Sequence, residues 1–417
     1  MEWTPARMRL FREVGLCESQ QDFAKTIGFA MRTIGNAERG THPPSLAVRR
    51  ALDQVLENAT DAQRDRFLAA VTATQSTNPV ITGATPAAFP ALNYDDVRHL
   101  AVAMTDAGRY LDGEAVLHLQ RQLTSCMAAD GTEGPQRTLP VVLGVVAVIE
   151  KQARQVKPDV RRDLLVVGAR SAEFAGWLYR DAGRADLASH WRDRAVEWAQ
   201  EAGDWSMQGY LLLKKSQAAW DERDGLRMLT LAQAAQTGPW TLPARVRAEV
   251  AQQEARGLAM IGEARLHVEH KLDQAWTLID TSTAEADSLG DHYDKKLLTI
   301  QTAICYCAAG QPGRAVELYE ESLSLDSFSR RDRGYFLSLM AGALARAGEP
   351  DAACEAGQEA TIIAMEMNSQ RTIRELGGVL DTLGEWRARP TVRALTEAVQ
   401  WANQPARILM PGYPGRD

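Results

Sequence analysis

Gln20-Gln-Asp-Phe-Ala-Lys-Thr-Ile-Gly28-Phe-Ala-Met-Arg-Thr-Ile-Gly-Asn-Ala-Glu-Arg-Gly40 contains the pattern of two short helices joined by a glycine turn. Phe23, Ala24 and Ile27 place apolar groups on one side of the first helix, and Ala24 is small where two helices must cross closely. Gly28 can adopt the positive φ that a tight turn requires. Phe29 and Ile34 carry the apolar face into a second helix, leaving Met31, Arg32, Thr33 and Asn36 on the opposite side, where a DNA groove can receive them. Gly40 suits the position just past that helix.

Working outward, Thr4-Pro5 reads as a cap followed by proline at the first helical position, and a further helix is expected after Pro43-Pro44-Ser45. Leu10, Phe11, Val14, Leu46, Leu52 and Val55 are the expected core residues. At this point the first sixty or so residues resemble the Cro/C1-type, or XRE, helix-turn-helix family. The resemblance implies that Gln20 holds a phosphate, that Met31, Arg32 and Asn36 face base edges, and that Arg39 contacts the DNA backbone. It also implies that Glu38 is a structural acid paired with a first-helix arginine, Arg9 or Arg12. Ala30 stands where the family often places a capping Ser or Thr, and Gly35 lies inside the second helix; each costs about 1 kcal/mol. One copy is therefore expected to bind DNA modestly.

The charge balance agrees. Over residues 1–57 the cations barely outnumber the acids, and the whole chain of 417 residues carries a formal net charge of −7. Phosphate neutralisation supplies most DNA affinity, so any DNA contact is confined to one end of the molecule. With 24% charged and 45% hydrophobic residues the composition is that of a soluble globular protein, too long for one core.

Thr72 to Asn93 is rich in Thr, Pro, Ala and Gly and lacks a period, which reads as a linker. The expected organisation is a head over 1–72, a linker over 73–93, a repeat domain over 94–405 and a tail over 406–417. From Asp95 onward helical periodicity is almost continuous, and the helices arrive in pairs punctuated by an Ala-Gly turn. Ala107-Gly108-Arg109, Ala182-Gly183-Arg184, Ala309-Gly310-Gln311 and Ala347-Gly348-Glu349 are each expected to end one helix and lead into the next.

This stretch resembles tetratricopeptide repeats, with Gly310 and Gly348 spaced near that period, and the whole chain resembles actinobacterial regulators that join a Cro/C1-type head to a repeat array. The segments Glu173 to Leu178, Glu197 to Asp204 and Gly238 to Met260 carry the second likeness. The expected fold class is all-α, a helix-turn-helix domain followed by an α-solenoid of helical hairpins. A solenoid leaves a concave groove lined by the first helix of each pair. The polar or aromatic residues expected there are Arg170, Glu173, Trp177, Gln208, Lys214, Gln217, Gln252, Gln253 and Gln301.

Other chemistries find little support in the sequence. Five scattered cysteines fit a reducing compartment, and Cys305 and Cys307 on one helix point about 200° apart, which cannot chelate. His267 and His270 share a face with Glu263 and Glu269 nearby, but no further ligands suggest themselves, so no metal is expected. No phosphate loop, nucleophile elbow or His-Glu-x-x-His pair occurs, and no enzymatic activity or cofactor is expected. The apolar run Leu139 to Ile149 is short and carries Pro140; a cytoplasmic chain without membrane contact is expected. The resulting expectation is a transcription regulator that binds operator DNA, forms a homodimer and senses a peptide, small molecule or protein in its groove. The alternative is a repeat scaffold whose head is a docking module.

Overall fold

The computed structural model of the protein describes residues 3, 5–16, 18–38, 46–60, 62–64, 66–67, 102–282, 289–324 and 328–403. Thr4, Cys17, Arg39, Gly40, Pro43 to Ser45, the 73–93 linker and the 406–417 tail lie outside the described residues. So do the start of the repeat domain before 102 and the side chains of Asn36 and Leu46. Every regular element among the described residues is helical, and no strand occurs there. The chain divides into two compact units, Met1–Thr85 and Pro86–Asp417.

In the first unit, α1 (Pro5–Leu10) runs into a π-helical turn (Phe11–Leu16), followed by α2 (Gln20–Thr26), α3 (Met31–Glu38) and α4 (Leu46–Asn58). Ser19 caps α2: its hydroxyl oxygen accepts the Asp22 N–H at 3.2 Å and its O–H donates to the Asp22 carboxylate at 2.6 Å. Gly28 takes φ +75° with open space around it, which lets α3 leave α2 at a steep angle. Phe11, Phe23, Ile34 and Leu52 are fully buried, while Leu10 and Val55 flank them.

One expected core residue is corrected, because Val14 is 36% exposed. The π turn displaces the register, so Gly15 rather than Val14 faces inward, with the position of its missing Cβ 3.0 Å from the Phe11 ring and 3.1 Å from Phe67. Trp3, Met8 and Phe67 complete the core, and Trp3 stacks on Phe67 with ring centroids 5.7 Å apart.

The second unit begins with a short helix, α5 (Ala107–Tyr110), then α6 (Gly113–Glu133), α7 (Pro135–Gln152), α8 (Pro158–Asp181), α9 (Ala185–Ala202) and α10 (Trp205–Ala218). It continues with α11 (Gly225–Thr237), α12 (Ala244–Met260), α13 (Arg265–Asp280), α14 (Lys295–Ala308) and α15 (Pro312–Leu323). Next come α16 (Arg330–Ala347), α17 (Pro350–Met367), α18 (Gln370–Thr382), a 3₁₀ turn (Leu383–Trp386) and α19 (Pro390–Ala402). The starts are written in the sequence. Proline opens α7, α8, α15, α17 and α19, and the carboxylates of Asp112, Asp204, Asp224 and Asp294 each accept an N–H of the first turn they cap.

Gly183, Gly310 and Gly348 have φ of +76°, +76° and +86° and end helices as the Ala-Gly pattern implies. Ala107-Gly108-Arg109 is different. It forms α5 itself, because Asp106 accepts the Arg109 N–H at 3.2 Å and starts a turn there instead of ending one.

Each helix from α6 onward packs on its successor, and the even-numbered helices from α6 to α18 also touch one another in series, forming an inner layer. That layer closes on itself: α6 packs against α16, and α8 against α18. Val145, Ile149, Leu164 and Trp198 anchor one apolar cluster, Ile304, Tyr319, Phe336 and Leu376 a second, and Ala251, Ile279, Tyr293 and Leu298 a smaller third. No described helix is long and apolar enough to cross a membrane.

Candidate functional site

In the first unit the two faces of α3 are treated oppositely. Ile34 and Ala37 are buried, whereas Met31 is 54% exposed and Arg32 and Thr33 are also exposed. Behind this surface Glu38 acts as a hub. Its carboxylate accepts Arg12 Nε at 2.7 Å and Gln20 Nε2 at 2.8 Å, while its backbone carbonyl accepts Arg9 Nη2 at 2.8 Å. Of the two arginines offered by the sequence, Arg12 forms the carboxylate pair and Arg9 binds the main chain. The hub ties the end of α3 to the π turn and to the start of α2. It also engages the Gln20 amide inside the unit.

The nine groove residues of the second unit lie on α8, α10, α12 and α14, all inner-layer helices. Most of them fall into three neighbourhoods. The first surrounds Glu249, which accepts from Gln217 Nε2 at 2.5 Å and pairs with Lys214 Nζ at 3.5 Å and with His292 Nε2 at 3.6 Å. Burial alone would raise the Glu249 carboxyl, but Lys214, His292 and the Gln217 amide outweigh it and lower it from 4.5 to about 2. Nearby Glu173 goes the other way: burial raises it against the pull of Lys214, His292 and Arg170, and Glu249 adds to the rise. Lys214 also sits 4.6 Å from the Tyr210 ring centroid.

The second neighbourhood surrounds Gln252, whose carbonyl oxygen accepts Gln253 Nε2 at 3.1 Å and the Tyr293 hydroxyl at 3.5 Å, and whose amide donates to Cys305 Sγ at 3.6 Å. Burial pushes the Cys305 thiol up to about 11, so it is a structural thiol. The side-chain oxygens of Gln253 and Gln301 and Glu249 Oε2 are buried without a hydrogen-bond partner among the described residues. Gln208 makes no side-chain bond there and stands apart from the three groups.

The third neighbourhood centres on Trp177, whose Nε1 donates to Asp130 at 3.2 Å. Arg371 lies 4.5 Å from the Trp177 ring centroid and 3.6 Å from that of Tyr335, and Arg331, paired with Asp130, lies 5.1 Å from Trp177. Farther along, Glu375 accepts Trp220 Nε1 at 2.8 Å and Arg223 at 2.6 Å, while Arg256 stacks 3.6 Å from the Trp220 ring. Arg256 is 5% exposed, and its Nε and Nη2 lack partners. Burial lowers its pKa.

Sequence reasoning found Trp177 and missed the arginines around it. The available signal was Arg and an aromatic ring at three- or four-residue spacing, as in Trp177/Arg180 and Arg331/Tyr335 on inner helices and Trp220/Arg223 in the turn after α10. His267 and His270 lie on α13; His267 Nδ1 is 3.4 Å from Glu263, Glu269 pairs with Arg265 and Arg314, and no metal-holding cluster occurs among the described residues. No protein-family model matches the chain, and no curated protein matches it.

Proposed function

We propose that the protein is a DNA-binding transcription regulator: a Cro/C1-type helix-turn-helix head on a tetratricopeptide-like array that senses an effector in its inner layer. The observation that carries the reading is the two-faced α3, with Ile34 and Ala37 locked inward and Met31, Arg32 and Thr33 presented outward on a helix braced by Glu38. A braced, exposed helix is what groove reading requires. The balanced charge of the head favours action as a homodimer, since two weak readers joined gain affinity without new contacts. The unpartnered oxygens of Glu249, Gln253 and Gln301 favour an effector with hydrogen-bond donors, because each orphaned buried polar atom costs about 1–3 kcal/mol.

Selection of bound sequences from random duplex DNA tests the head. One enriched, two-fold symmetric motif is expected, and Arg32→Ala should abolish the enrichment. Uniform, salt-sensitive binding to every sequence would sink the reading. A second reading, a scaffold with a docking head, draws on the Gln20 amide being committed to Glu38 instead of free for a phosphate. Recovery of a stoichiometric protein partner with no enriched DNA motif would favour it.

A further inference from the structure

Where α8, α9 and the turn after α10 face α18 there is a cavity of about 310 Å³, within the range of about 300–1,000 Å³ that holds small ligands. Its lining is strongly charged, and its carboxylates are committed. Asp221 accepts Arg180 Nε at 2.6 Å and Nη2 at 2.9 Å, Asp193 accepts Lys215 at 2.8 Å, and Glu222 accepts Arg227 at 2.7 Å. Two arginines remain. Arg192 makes no hydrogen bond or ion pair among the described residues, and its stem packs where a side chain on Gly176 would sit. Arg374 reaches Asp221 only at 3.8 Å.

Burial first, and then the adjacent Arg180, push the Arg192 guanidinium down, and together they outweigh the opposite pull of Asp221, Glu173 and Asp193. Surplus positive charge in a partly enclosed site attracts an anion, and a guanidinium fork matches two oxygens of a phosphate or carboxylate. Arg374 also lines a larger cavity of about 520 Å³ beside Ile373, Gly377 and Val399, which gives room for an uncharged body.

We propose that the smaller cavity is an oxyanion site that takes the phosphate or carboxylate group of a small molecule between Arg192 on α9 and Arg374 on α18. The bound group would tie α9 to α18, on the seam where the inner layer closes. The inference goes beyond the proposed function: the cavity shares no lining residue with the Glu249, Gln253 and Gln301 group, and it does not depend on DNA reading.

Titration calorimetry of the full chain, with inorganic phosphate in one arm and succinate in the other, tests it and separates the two sources of the oxyanion. Saturable binding in at least one arm is expected. Arg192→Ala, Arg192→Gln and Arg374→Ala should each weaken it at least about tenfold, the loss of one charge-assisted fork. Without ligand, Arg192→Ala should melt at or above the wild-type temperature, because burial and Arg180 disfavour this cation by more than the nearby carboxylates favour it. Should that variant fail to fold, Arg374→Ala carries the test, since its side chain is 40% exposed. No binding in either arm at tens of millimolar, or binding that both arginine variants leave unchanged, overturns the proposal. Operator binding measured on the same preparation keeps a failed head distinguishable from a failed anion site.

Discussion

Glu38 shows how much one side chain can organise. It is 5% exposed and joins Arg12, Gln20 and the α3 backbone. Glu38→Ala would leave the Arg12 guanidinium half-buried with only Glu13 and the Glu18 carbonyl. Removing one partner of a buried pair costs about 3 kcal/mol, so chemical denaturation should show an earlier transition for the first unit. Glu249 and Glu173 form an opposed pair in the second unit. The Glu249 carboxyl is lowered to about 2, so its stabilisation is present above its ordinary 4.5 and is lost as the pH falls towards 2. Glu249→Gln should cost about 3 kcal/mol at neutral pH and flatten the acid limb of the stability curve. Glu173, raised by burial, loses stability as the pH rises through its titration. Glu173→Gln should therefore be neutral or stabilising at neutral pH, and a matched loss in both variants would contradict this account.

Among the helices, close packing decides what intrinsic preference does not. A Cβ on Gly257 of α12 would stand 2.9 Å from the Leu229 backbone nitrogen of α11, and backbone cannot step aside. Gly257→Ala should destabilise by about 1–3 kcal/mol through overpacking, although alanine is the better helix former. Gly378 in α18 has nothing within 4 Å of the same position, so Gly378→Ala should stabilise by up to about 1 kcal/mol. Thermal melts of the two variants should move in opposite directions. The helix punctuation itself, proline at the start, aspartate caps and Ala-Gly at the end, was legible in the sequence because each is a local device. Asp106 overrode it at Gly108 by capping a new turn, and the π turn at Phe11–Leu16 overrode the inferred face of Val14.

At the scale of the whole second unit, the closure of the inner layer joins elements that the hairpins do not. Ser369 donates to Asp181 at 2.7 Å, Arg371 Nε lies 3.3 Å from Asp181, and Arg331 pairs with Asp130, so both ends of the array share buried charges. Asp130→Ala would strand Arg331 with Asp332 alone and remove the Trp177 acceptor, a loss of about 3 kcal/mol. Hydrogen exchange should accelerate in α6 and α16 together, though they are remote in sequence. Acceleration confined to α6 would show that the seam contributes nothing to cooperativity.

The sequence by itself determined the helical class, most helix ends and the two-faced character of Met31 to Ala37, because periodicity, caps and turns are properties of neighbouring residues. The nine groove candidates read from it lie on helices of the inner layer. Only the tertiary structure decided that Arg12 rather than Arg9 meets the Glu38 carboxylate, that Trp177 lies amid arginines from α16 and α18, and that Arg192 lines a charged cavity. The first depends on how the π turn at Phe11–Leu16 presents Arg12 to the end of α3, and the others on α16 and α18 meeting α6 and α8, contacts between segments remote in sequence that no local pattern encodes.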